Sequence, residues 1–149
     1  MKSRLFAPLA ALAVVFAMTT AEAFGGPPIH VVHGQGIVQL DAPDGIIVTV
    51  SILAWEDETG VHGIATWLNE YPSNGWINGW QWVIDIDTLT MVAPNKAHVG
   101  GVIVQDNRFP WNEGARITIR GVEDNGQGDL DPPDRIFGVP IRGGNFIVR

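Results

Sequence analysis

An all-β fold is predicted for this chain: a single domain, an antiparallel meander of about eight strands, closed as a barrel or folded as a sandwich. Three observations predict it. No stretch beyond residue 23 sustains a helical apolar period, β-branched residues alternate with polar ones over several runs, and Gly, Pro, Asn and Asp punctuate the chain every ten or so residues. Turns that short join neighbouring strands, so a meander is the expected order.

The first segment is set apart. Met1 to Ala23 carries Lys2 and Arg4, an apolar run from Leu5 to Met18 and the small-x-small site Ala21-Glu22-Ala23, the arrangement of a secretory signal peptide cleaved after Ala23. The expected product is secreted or periplasmic, with no membrane span after cleavage. Residues 24–28 (FGGPP) read as a flexible leader and 29–149 as the folded domain. The remaining 126 residues suffice for a core without staples, and with no cysteine the domain relies on packing and hydrogen bonds.

The strands follow in order. Ile29 to Leu40 is extended and contains Gly34 and Gly36; Asp41 to Gly45 turns it. Ile46 to Trp55 alternates Ile46, Val48, Val50, Ile52 and Ala54 against Ile47, Thr49, Ser51, Leu53 and Trp55, and Val61 to Leu68 returns after a charged tip. A polar loop, Asn69 to Gly79, leads to the long run Trp80 to Val92, which turns at Ala93 to Lys96 into Ala97 to Gln105. Asp106 to Gly114 (DNRFPWNEG) is a second large loop. Ala115 to Gly121 places Ala115, Ile117 and Ile119 on one face and Arg116, Thr118 and Arg120 on the other. Arg135 to Pro140 and Gly144 to Val148 are short final strands.

Between them lies DNGQGDLDPPD, 124–134. Asn125-Gly126 tolerates positive φ, and Pro132-Pro133 removes two donors and holds the chain extended. This segment, with Ala97 to Val104, Gly114 to Val122 and the early Gly34-Gln35-Gly36, resembles the signature of a large group of uncharacterised secreted bacterial β proteins: a strand ending V-x-D-N-G-x-G, then P-P-D. The resemblance implies the fold and export, and brings no activity with it. The chain departs from that pattern at Ile84-Asp85-Ile86-Asp87, where relatives often carry a cysteine.

Four groups are candidates for chemistry. Six tryptophans are many for this length. Trp76, Trp80 and Trp82 share parity with Ile84, and Trp76 and Trp111 sit in polar loops. Indoles beside Asn, Gln and Asp either fill the core or hold a small ligand, a glycan or an envelope protein. Asp124, Asn125, Asp129 and Asp131 place oxygens on one glycine loop, as calcium requires, although the spacing is not that of an EF-hand; the plain alternative is a self-bonded turn. Asp85 and Asp87 share a face about 7 Å apart, compatible with a hydrolase using His98 and equally with a solvated stripe. His30, His33, His62 and His98 are dispersed.

The formal charge is −7, and −8 beyond residue 23, which disfavours nucleic acid and anionic membranes. Ser51 and Ser73, the only serines beyond residue 23, lack a G-x-S-x-G setting. The chain therefore reads as a non-catalytic binding or structural domain.

Overall fold

The computed structural model describes residues 28–40, 45–70, 79–126 and 132–149. Among the described residues nine strands form one antiparallel sheet: β1 (His30–Leu40), β2 (Ile46–Asp57), β3 (Gly60–Glu70), β4 (Trp80–Ala93), β5 (Lys96–Asp106), β6 (Arg116–Glu123), β7 (Arg135–Ile136), β8 (Val139–Pro140) and β9 (Gly143–Val148). The order across the sheet is β8-β7-β6-β5-β4-β3-β2-β1-β9, a meander whose last strand returns beside the first. The expected all-β meander is what the chain forms.

The period of two decides what fills the interior. Val48, Val50, Ile52 and Ala54 of β2 are buried, as are Ile84 and Ile86 of β4 and Ala97 and Val99 of β5, all in one cluster with Val32, Val38, Ile119 and Phe146. Each buried Val, Ile or Phe side chain among them contributes roughly 1.5–3 kcal/mol on leaving water. Outward neighbours carry the charge: Asp85, Asp87, Arg116 and Arg120 are exposed.

The sheet curls until β9 comes near the end of β6, and the seam there is held by side chains instead of a strand ladder. Val31 and Arg149 exchange both main-chain bonds, so the alternating N–H groups of Phe146 and Val148 point away from β1. Asp134 Oδ2 accepts from Phe146 N at 2.6 Å, and Asp124 Oδ2 accepts from Val148 N at 3.3 Å. Asp134 Oδ1 also accepts from Asn125 N at 2.8 Å, tying the turn to the seam. Close approach of β1 and β9 needs Gly34: its φ is 144°, and a Cβ there would overlap Asn145 O and the Cα of Phe146.

One element differs from expectation. Arg135 to Pro140 is not one strand but a hairpin, with Ile136 opposite Val139 across the two-residue loop Phe137-Gly138. Both loop residues have positive φ, 55° and 76°, the type I′ pattern whose first position normally holds Asn, Asp or Gly. A phenylalanine there disguises the turn, which is why nine strands form where about eight were expected. Among the described residues no helix is long and apolar enough to cross a membrane, a statement that does not concern strands.

Candidate ligand site

The ends of β3 and β5 and the start of β4 meet at one end of the curled sheet, where Asn69 faces Trp80 and Trp82 faces Asp106 across the strands. Trp82 points inward because it shares parity with Ile84 and Ile86. Asp106 does so because of a bulge. Ile84 pairs with Ile103 and Val83 with Gln105, leaving Val104 as an extra residue that is half exposed. That insertion flips the parity of the rest of β5 and turns Asp106 in under its own loop.

Asp106 is 4% exposed and is the hub of this end. Its Oδ1 accepts from Trp80 Nε1, Arg108 N and Phe109 N at 2.9, 2.9 and 2.8 Å. Its Oδ2 accepts from Trp82 Nε1 and Asn112 Nδ2, both at 2.8 Å. Burial alone would raise its pKa. The bonds from Phe109 N, Asn112, Arg108 N and Trp80 outweigh it, and the carboxyl is held at about 2 against an ordinary 3.8.

These bonds fix the 3-10 turn Pro110–Asn112. Around it the aromatic rings form a continuous arc. Phe137 meets Trp67 at 5.5 Å between centroids and Trp67 meets Trp82 at 6.1 Å. Trp82 meets Trp80 at 4.9 Å, Trp80 meets Phe109 at 5.2 Å, and Phe109 meets Trp111 at 5.0 Å. Several contacts are edge-on, the geometry ring quadrupoles favour. Trp67 is buried, with Nε1 bonded to Asn69 Oδ1 at 3.0 Å, whereas Trp111 at the far end is 76% exposed.

The tryptophan candidates thus separate. Trp80 and Trp82 are half-buried with their N–H groups committed to Asp106, Trp111 is open, and Trp76 lies outside the described residues. Trp55 lies on the outer face against His62.

Of the calcium candidates, Asp129 and Asp131 lie outside the described residues. Asp124 Oδ1 accepts from Gly126 N at 2.9 Å, Asn125 Nδ2 donates to Pro133 O at 2.9 Å, and Asp124's other oxygen serves the seam. Among the described residues no group of three or more His, Asp or Glu side chains gathers as metal ligands would.

Asp85, Asp87 and His98 are not drawn together by any hydrogen bond or ion pair. Asp87 takes a two-pronged ion pair from Arg116 at 2.8 and 2.6 Å, which lowers its pKa, and His98 Nδ1 accepts from Gly121 N at 2.9 Å. Both are engaged in holding strands. His62 Nε2 lies 2.8 Å from Thr59 Oγ1 at the β2–β3 tip. Burial, then the charge of Arg149, lowers the pKa of half-buried His33.

Asp106, Phe109, Asn112 and Phe137 went unmarked in the sequence. Asp106 sat at the edge of a polar loop, where an aspartate usually caps its own turn, and only the bulge reveals its inward direction. Comparison with protein-family models, curated proteins and solved structures finds no match to this chain.

Proposed function

We propose that this chain is an exported, non-catalytic binding domain that docks a carbohydrate at the aromatic end of its barrel, with Trp111 as the first contact. One observation carries the reading: an indole 76% exposed on a turn that a buried carboxylate holds rigid. A water-facing Trp is a poor use of apolar area unless something covers it. The C–H face of a pyranose does so while its hydroxyls stay wet. Because Asp106 has already fixed the turn, little ordering remains to oppose binding. Asn107 and Glu113, exposed on the same loop, brace it at the rim: Asn107 bonds Gln81 N and Gly79 O, and Glu113 Oε1 accepts from Asp106 N.

The test is a titration of the purified protein with a panel of soluble glycans, followed by tryptophan emission. At least one should give a saturable shift, and Trp111→Ala should weaken that binding about tenfold or more with unchanged circular dichroism. A flat response to every glycan, or affinity indifferent to Trp111→Ala, would overturn the reading. Saturation by apolar small molecules alone would keep the site and change its ligand.

A further inference from the structure

Among the described residues the two outermost strands are blunted, while part of an inner strand stands open. β9 is closed by the carboxylates of Asp124 and Asp134, and β8 is two residues long and ends in Pro140. β6 is different. Only Glu123 pairs with β7, and Arg120 O accepts from Phe137 N at 2.8 Å. Ala115 O accepts from Ile103 N, so by the two-residue alternation Ile117 and Ile119 face β5 while Arg116 and Thr118 turn N–H and C=O the other way. Among the described residues nothing on the main chain pairs with them.

The side chains around this edge are basic in an acidic chain. Arg116, Thr118 and Arg120 all lie exposed on the outer face. Arg116 is held by Asp87, whereas Arg120 enters no ion pair among the described residues. The meander also sets exposed Arg135 of β7 beside β6, opposite Glu123, while exposed Arg142 lies next to β1, its N–H donating to Ile37 O at 2.7 Å. Three arginines, Arg116, Arg120 and Arg135, thereby lie on β6 and its neighbour β7.

We infer that the edge of β6 from Arg116 to Arg120 is a docking edge that accepts an extended acidic peptide as an added antiparallel strand. Main-chain bonds to Arg116 and Thr118 supply the affinity, and acidic side chains beside Arg120 supply the selectivity. The charge also argues against a second copy of this chain. In an antiparallel β6–β6 pair centred on Thr118, Arg116 of each copy would stand opposite Arg120 of the other, and like charges in that position repel.

Fluorescence anisotropy tests this with a fluorescein-labelled peptide alternating glutamate and valine, its lysine–valine counterpart, and a form of the acidic peptide N-methylated at alternate residues. The acidic peptide should bind saturably, the lysine peptide should not, and N-methylation on the bonding side should abolish binding. Arg120→Glu should lower affinity at least about tenfold. Thr118→Pro should do the same without unfolding, since the lost N–H faces outward at an edge. The N-methylated peptide decides the matter should that variant fail to fold.

Equal binding of methylated and unmethylated peptides would reduce the contact to charge alone and overturn strand addition. So would equal binding of both charge types, no binding, or a concentration-dependent dimer whose formation Thr118→Pro abolishes.

Discussion

Asp106→Ala should destabilise the protein by about 3–5 kcal/mol, the loss expected when a buried, multiply bonded charge is deleted. Five donors converge on its two oxygens, three from the turn that follows it and two from the indoles of Trp80 and Trp82. Removing the carboxylate strands those donors where water reaches them poorly. Asp106→Asn should cost less, about 2–3 kcal/mol, because one oxygen remains while the new amide sets donor against donor at the other. Urea unfolding reads both values. A loss under about 1 kcal/mol for the alanine variant would mean that water replaces the network without penalty. The same variant should also weaken glycan binding, since Trp111 then sits on an unfixed turn.

The acid side carries a second reading of this group. A carboxyl held at about 2 when folded, against an ordinary 3.8, stabilises the protein fully above the higher value and loses that contribution as pH falls towards the lower. Wild-type stability should therefore decline between about pH 4 and 2 by a component missing from Asp106→Ala.

Asp134→Ala should open the seam. Its carboxylate accepts from Asn125 N and Phe146 N, its own C=O accepts from Ile141 N, and its residue is 4% exposed. Losing two charge-assisted bonds and leaving the N–H of Phe146 unanswered should cost about 3 kcal/mol. The signature of this change is local. Amide exchange should accelerate at Phe146 and Val148 far more than in β2 and β3, and the bared edge of β9 should promote association at high concentration. Uniform loss of protection across the sheet would show instead that Asp134 supports the whole core.

Strand parity was readable wherever apolar residues alternate without interruption. Ile46 to Ala54 and Trp80 to Ile86 declared both their extended shape and their inward face. Local pattern does not carry what arises from breaks in register. Val104 looks like one more strand residue, yet as an extra one it reverses Gln105 and Asp106, and with them the network under the aromatic arc. Phe137 offered no turn signal because its side chain argues for a strand while its φ of 55° belongs to a glycine or asparagine. For Asp124 the sequence leaves two readings, calcium ligand and self-bonded turn, and its Oδ1 does accept from Gly126 N in a tight turn. Its second oxygen, like Oδ2 of Asp134, serves a strand more than ten residues downstream, and such partners appear only once the chain has closed.

The pairing of β1 with β9 also bears on the order in which the molecule assembles. Val32 lies opposite Val148, so this ladder joins segments separated by roughly 115 residues, whereas every other pairing among the described residues joins consecutive strands. Hairpins such as β2–β3 can form on their own timescale, but closure must wait for the final strand and bear the loop entropy of nearly the whole domain. The seam then belongs to the late side of the folding barrier. Weakening Asp124 or Asp134 should leave the folding rate nearly unchanged and appear as faster unfolding, which makes the two carboxylates determinants of how long the closed form survives.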